Sequence, residues 1–351
     1  MYPRVCISLK AIQNNYQLLK QHHADQALYA VIKTDAYGHD ASLIAQQLAP
    51  YADGFCVATL AEAIELRQWI KQHPICIMHG PMQAEDWLTI EHLNLDSCLH
   101  SLFQWETFMQ HNFTHYPRLW VKVNTGMNRL GLTPEQVRKI LPHLAEHQPI
   151  LFSHYACAET LDSTNNQLQQ SKFQCLMQAF PQCKTSVANS AVLSNPNLHN
   201  GDIIRAGIAL YGHAETQLNL QPAMTFEAPV IAIQPIQKGE RVGYGQRWSA
   251  PCDGYLAIIR AGYADGYPRS LPDQTPVYIN GATYPLAGSI SMDLSTLFLG
   301  ANQQGVSVGD WAELWGENIS LMQIATLAQT IPYELLCRLN QRVKKIYLLN
   351  E

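Results

Sequence analysis

The sequence predicts an α/β chain: a (β/α)8 TIM-like barrel followed by a mainly β C-terminal domain. Eight short apolar runs of strand length recur between residues 28 and 212, with helically patterned stretches between them. After about residue 220 the pattern changes to short strands punctuated by Gly, Pro and Asp. The length, 351 residues, leaves room for two domains at about 150 residues each.

In chain order the runs are LYAVIK (28–33), GFCVAT (54–59), ICIMHG (75–80), DSCLH (96–100), RLWVKV (118–123), ILFSHY (150–155), CKTSVAN (183–189) and IIRAGIALYG (203–212). Between them lie amphipathic patterns such as LAEAIELRQWIKQ (60–72) and TPEQVRKILPHLAEH (133–147). In the second, Thr133 can cap and Pro134 suits the first helical position. Alternating strand and helix implies parallel pairing, and eight such units fit a closed barrel, with an open doubly wound sheet as the alternative. Further on, APVIAIQPI, KGERVGYGQ, YLAIIRAGY, TPVYINGATYPLAG and DWAELWG read as strands, with Asn280-Gly281 as a hairpin turn. LMQIATLAQ (321–329) reads as the one helix there, and QRVKKIYLLN returns to strand. The domains divide as 1–222 and 223–351, with the first ten or so residues able to pair with the second domain. No repeat, low-complexity tract or flexible linker separates them.

Composition narrows the function classes. Hydrophobic residues at 47% and charged residues at 15% exclude general disorder. With 23 Lys and Arg against 28 Asp and Glu the net charge is −5, which argues against nucleic acid or an anionic membrane surface as partner. The N-terminus lacks a signal-peptide run and no stretch approaches the ~18 apolar residues of a membrane span, so a cytoplasmic location is expected. The nine cysteines are scattered without a CxxC pair, which favours reduced, buried thiols and gives no metal site.

In a parallel barrel, functional side chains sit at the C-terminal ends of the strands. The polar residues obey that rule: Lys33 ends the first run, Lys122 and Arg129 follow the fifth, and His154 ends the sixth. Asn189 and Ser190 follow the seventh, and Arg205 and Gly207 fall in the eighth. A desolvated lysine loses its proton more readily and becomes a nucleophile suited to Schiff-base formation. The plainer reading of Lys33 is a lysine snorkelling out of the barrel mouth.

Motif context decides between these. VIKTDAYGHD closely resembles the cofactor-lysine motif of the alanine racemases, and that family's landmarks recur in order along nearly the whole chain. They are VKVNTGMNRLG, SHYACAE, ANSA, IRAGIALYG, VGYGQRW, AGYADGYPR, GSISMD and VGDWAELWG. The resemblance implies a pyridoxal 5'-phosphate-dependent amino-acid racemase: a cytoplasmic homodimer with shared active sites, acting on alanine by two-base proton transfer. Its D-alanine would serve peptidoglycan synthesis, or the reverse flux alanine catabolism. A serine or broader-specificity racemase is the alternative within the scaffold. A non-catalytic cofactor-binding barrel and a barrel decarboxylase are the alternatives outside it.

Carried over residue by residue, the resemblance makes Lys33 the cofactor-binding lysine and the base for the D enantiomer, and Tyr244 the base for the L enantiomer, supplied by the partner subunit. Arg129 would lie beside that phenol and the substrate carboxylate, and Lys122 matches a lysine that some members carry as a carbamate. Arg205 would face the cofactor's ring nitrogen with His154 orienting it. Tyr37, Ser190, Gly207 and Ile208 match phosphate contacts. Met292 and Asp293 match partner-subunit residues near the substrate carboxylate, and Tyr263 a tyrosine of the access corridor, with Asp265 and Tyr267 beside it. Gln341 is aligned with a phosphate-contacting tyrosine of some members, which leaves that contact open.

Overall fold

The computed structural model describes residues 1–161, 163–195, 197–214 and 218–349. β1 (Arg4–Ser8) joins the C-terminal unit. The next eight strands are β2 (Ala27–Val31), β3 (Gly54–Val57), β4 (Ile75–Ile77), β5 (Asp96–Leu99), β6 (Leu119–Lys122), β7 (Ile150–Phe152), β8 (Lys184–Ser186) and β9 (Ile203–Ala206). They pair in parallel in the order β8-β7-β6-β5-β4-β3-β2-β9. Every residue of β3 to β7 and of β9 is buried, as expected where both sheet faces are covered. The end strands close on each other through polar groups, because KTS is the least apolar of the runs. Asp202 Oδ2 accepts the Thr185 N–H and hydroxyl, both at 2.7 Å, and Ser186 Oγ donates to the Ile203 carbonyl at 2.7 Å. The result is a nearly closed barrel rather than an open sheet.

Helix starts follow their caps. Thr59 and Glu62 form a capping box for Leu60–Trp69, and Thr133 and Gln136 form one for Pro134–Ile140. The second helix stops short of its expected end: from Leu141 to His147 the chain winds as a 3-10 turn. Pro142 is the reason, since it lacks an N–H and its ring crowds the carbonyl four residues back. Towards the N-terminal ends of the strands, Asp96 Oδ2 accepts from Arg118 (Nη2 2.5 Å, Nε 3.0 Å) and from Trp120 Nε1 at 3.0 Å, while Arg118 also reaches Tyr29 Oη at 2.9 Å. Burial raises the Asp96 pKa and Arg118 opposes the rise.

The second unit gathers Met1–Ile12, Tyr211–His213 and the chain from Gln221 onward. Its strands are β10 (Met224–Ile236), β11 (Arg241–Val242), β12 (Trp248–Ser249), β13 (Gly254–Ile259), β14 (Pro276–Ile279), β15 (Ala282–Pro285), β16 (Ser295–Gly300), β17 (Trp311–Trp315) and β18 (Lys344–Leu348). The main sheet runs β15-β14-β17-β10-β1-β18, with β13 on β10 and β16 on β13. β1 lies antiparallel to β10 and parallel to β18. Asn280 and Gly281, at φ of 48° and 86°, make the tight turn between β14 and β15. Beside the expected helix, Leu321–Leu327, stands an unanticipated short one, Pro332–Cys337. Cys56, Cys76, Cys98 and Cys183 are buried as anticipated, whereas Cys175, Cys252 and Cys337 are exposed. Among the described residues no helix is long and apolar enough to cross a membrane.

Candidate active site

Lys33 opens a single turn, Lys33–Gly38, immediately after β2. Thr34, Asp35, Ala36 and Tyr37 take φ of 54°, 53°, 51° and 55°, a left-handed turn made by four residues that are not glycine. Such geometry costs about 1–2 kcal/mol per residue, so its surroundings must impose it. Glu62 Oε1 accepts the Thr34 N–H at 2.7 Å, and Asp35 Oδ1 accepts the Ala41 N–H at 2.9 Å. His39 Nδ1 lies 2.9 and 3.0 Å from the carbonyls of Ala36 and Tyr37. The turn carries Tyr37 to the end of β9. A Cβ on Gly207 would meet Tyr37 Oη at 2.7 Å, so a side chain there would push the tyrosine aside.

Arg205, on β9, is buried with three kinds of neutral partner. Its Nη1 donates to Ser186 Oγ at 2.5 Å, and its Nη2 to the Ser153 carbonyl and His154 Nδ1, each at 3.2 Å. The Phe152 ring centroid lies 4.4 Å from its guanidinium carbon. Burial pulls the Arg205 pKa down to about 10, which still leaves a cation at neutral pH. Burial and then the Arg205 charge hold His154 well below the usual imidazole range, so it is neutral and its Nδ1 can accept. Asn189 Nδ2 lies 3.4 Å from the other ring nitrogen.

Lys122 ends β6, buried, with Nζ 4.9 Å from the same Phe152 ring. Burial lowers its pKa; Cys98 opposes this, and the charges of Arg205, Arg129 and Lys33 add to the lowering. The following loop is tied by Asn124, whose Oδ1 accepts the N–H groups of Gly126 and Asn128, both at 3.1 Å. Gly131 at φ 130° completes it, because a Cβ there would sit 2.6 Å from the Asn124 nitrogen. This loop presents Arg129, exposed, over a cleft also lined by Lys122, Met127, Ser153 and His154. Ser190 Oγ accepts the N–H groups of Gly207 at 2.9 Å and Ala209 at 3.2 Å, at the start of the 3-10 turn that contains buried Ile208.

Two barrel residues escaped the sequence reading. Gln169 is buried on the helix Thr164–Ala179; its amide donates to Thr125 Oγ1 and to the His154 carbonyl, both at 3.0 Å, and accepts the Ala156 N–H at 2.9 Å. It thereby ties the Arg129 loop to the His154 loop, but nothing distinguishes it within QLQQ. His79 follows β4; burial lowers its pKa, the charges of Lys33, Lys122 and Arg129 add to the lowering, and Glu62 opposes it. The strand-end rule applied to ICIMHG could have found it.

The structure therefore brings Lys33, Tyr37, Lys122, Arg129, His154, Ser190, Arg205, Gly207 and Ile208 together at the C-terminal ends of the barrel strands. The remaining candidates lie on the β unit. Tyr244 is 72% exposed on a 3-10 turn between Gly243 and Gly245, both at φ 73°. Arg247 Nη2 donates to Ser289 Oγ at 2.7 Å, and Ser289 Oγ donates to the Tyr244 carbonyl at 3.4 Å. Tyr263, Met292 and Asp293 are also exposed. Tyr267 is fully buried against Phe226 and Trp315, so it packs the core of this unit rather than lining a corridor. Gln341 is exposed in the turn before β18. Among the described residues no cluster of three His, Cys, Asp or Glu side chains could hold a metal ion.

Residues 7–215 match the family model "Alanine racemase, N-terminal domain", and residues 223–347 match "Alanine racemase, C-terminal domain". The chain belongs to the alanine racemase family. The alanine racemase of Marinobacter nauticus is 36% identical over 352 residues, covering 97% of this chain and 98% of the relative. That of Nitrosomonas eutropha is 37% identical over 362 residues, covering 98% of each. The biosynthetic alanine racemase of Pseudomonas aeruginosa superimposes with a TM-score of 0.93 at 35% identity, covering 99% of this chain and 100% of that one. An alanine racemase from Bartonella henselae with covalently bound pyridoxal phosphate gives 0.89 at 31% identity, covering 99% and 100%. Members of the alanine racemase family are isomerases acting on amino acids and depend in general on pyridoxal phosphate.

Proposed function

We propose that this alanine racemase binds pyridoxal 5'-phosphate in its barrel and interconverts L- and D-alanine with Lys33 and Tyr244 as opposed bases. The observation that carries the proposal is the donor set of the barrel mouth: the amines of Lys33 and Lys122, hydroxyl and backbone N–H donors, and a buried guanidinium with no carboxylate among its described partners. That set fits an anionic aldehyde cofactor. Lys33 would hold its carbonyl carbon, Tyr37, Ser190 and the Gly207–Ile208 backbone its phosphate, and Arg205 its ring nitrogen. The cofactor, once bound, supplies the electron sink that makes the substrate α proton removable.

His154 keeps Arg205 aimed by accepting from its Nη2. Arg205, charged at neutral pH, would meet the ring nitrogen as a donor and so disfavour its protonation. Arg129 binds the substrate carboxylate and stabilises a phenolate at Tyr244. Lys122, crowded by cations, is suited to a carbamate that would steady Arg129. Lys33 Nζ takes the α proton of D-alanine, and Tyr244 Oη takes that of L-alanine on the other face.

Exposure of Tyr244, Tyr263, Met292 and Asp293 supports a homodimer in which these residues serve a partner's barrel. The assembly would work in the cytoplasm, with either D-alanine supply or alanine breakdown as its role. The test is incubation of the cofactor-loaded protein with L-alanine in deuterated water. Loss of optical activity together with α-deuterium incorporation is expected. Retained optical activity without exchange, from protein holding its cofactor, would refute the reading.

A further inference from the structure

Two loops of the β unit carry the residues assigned above to the substrate side: 262–266 bears Tyr263, and 290–294 bears Met292 and Asp293. The main chain already joins them. Tyr263 N–H donates to the Ser291 carbonyl at 3.1 Å and Ala264 N–H to the Met292 carbonyl at 3.0 Å. A Cβ on Gly262 would come within 2.3 Å of both carbonyl oxygens, so the approach requires glycine. Arg342, in the turn before β18, bridges the acidic side chains of the two loops. Its Nε donates to Asp265 Oδ1 at 2.7 Å and its Nη2 to Asp293 Oδ1 at 2.6 Å. Asp265 is buried and its second oxygen accepts the Gly262 N–H at 2.9 Å, which anchors one arm of the fork.

Energetics argue that the Asp293 arm of this fork is not chiefly a stability device, whereas the other arm pairs Arg342 with a carboxylate only 3% exposed and anchors the guanidinium. The Arg342 side chain is 42% exposed and that of Asp293 55%, and exposed pairs contribute only about 0–1 kcal/mol. A planar guanidinium holding two carboxylates nevertheless fixes their separation, which a flexible ammonium would not. We propose that Arg342 is a specificity-determining positioning residue, whose fork between Asp265 and Asp293 sets the spacing of Tyr263 and Met292 and so the size of amino-acid side chain admitted. The inference rests on reading those two residues as substrate-side. Loosening the fork widens the opening for a longer side chain.

The test compares L-alanine with L-2-aminobutyrate, one methylene longer, in the cofactor-loaded full-length protein and its Arg342→Met, Arg342→Lys and Asp293→Asn variants, with thermal denaturation alongside. A hydrophobic site discriminates one methylene by about 10- to 200-fold, and Arg342→Met should erode that preference by about fivefold or more, mainly in KM. Arg342→Lys should recover part of it, and Asp293→Asn should reproduce the loss while leaving the buried Asp265 arm intact. An unchanged preference in Arg342→Met, while Met292→Ala and Tyr263→Phe shift it, would overturn the role of Arg342 alone. If those two variants also leave it unchanged, the substrate-side reading of both loops fails and takes the inference with it. A lower melting temperature with unaltered preference would make the fork purely structural and overturn it as well.

Discussion

Arg205 shows how much a single buried residue can specify. Its hydroxyl, carbonyl and imidazole partners satisfy the guanidinium without neutralising it, so the mouth of the barrel stays cationic. Neutral histidines complement it, and they make stability depend on pH. Burial lowers the His213 pKa to about 4, and among the described residues its Nε2 has no hydrogen-bond partner. The unfolded chain therefore takes up the proton near pH 6.5 while the folded chain resists until about 4, so stability is complete above 6.5 and falls as pH drops through that window. Urea denaturation at pH 7 and pH 5 should differ by about 2 kcal/mol from His213 alone, a difference that His213→Gln removes. Equal pH dependence in the variant would assign the loss elsewhere. At this scale Lys33, Lys122, His154 and Arg205 are legible because each stands in or beside an apolar run within a motif that resembles the family's, which outweighs the plainer reading of a residue such as Lys33 as a snorkelling lysine. Gln169 and Arg342 are not, since each acts through partners distant in sequence.

The element on which the site turns is the left-handed segment after Lys33. Nothing in TDAY announces it: Asp35 and His39 tie the turn locally, but Glu62, which holds the Thr34 N–H, belongs to another helix. Glu62 closes the capping box of Leu60–Trp69 with one oxygen, which also accepts the Ala58 N–H, and holds the Thr34 N–H with the other. Glu62→Ala should cost about 1–2 kcal/mol in chemical denaturation and weaken cofactor binding, while Glu62→Gln should restore much of both by keeping an amide oxygen as acceptor. Lost stability with undiminished cofactor affinity would confine Glu62 to capping its own helix. Elsewhere local signals suffice. Thr133 with Pro134 marks a helix start, and Asn280-Gly281 marks a hairpin. Pro332–Cys337 escapes because six residues are too few to display a helical period.

At the scale of the whole chain, the barrel is legible from eight apolar runs, and the β unit from the change of punctuation after them. The closure of the barrel is less so, because β8 and β9 meet through Asp202, Thr185 and Ser186 rather than through a ladder that hydrophobic patterning would reveal. In the proposed reading barrel residues would supply the cofactor site, and the β unit offers an exposed tyrosine on a turn between two glycines. Two copies of the chain would complete each other. Mixing Lys33→Ala with Tyr244→Phe tests that claim most directly, because each variant alone lacks one base. In a mixed dimer with shared sites, one site regains both Lys33 and Tyr244, so random reassociation should restore about a quarter of wild-type racemisation. A mixture as inactive as its parents, despite demonstrated subunit exchange, would show that the two bases do not meet across subunits and would contradict the account.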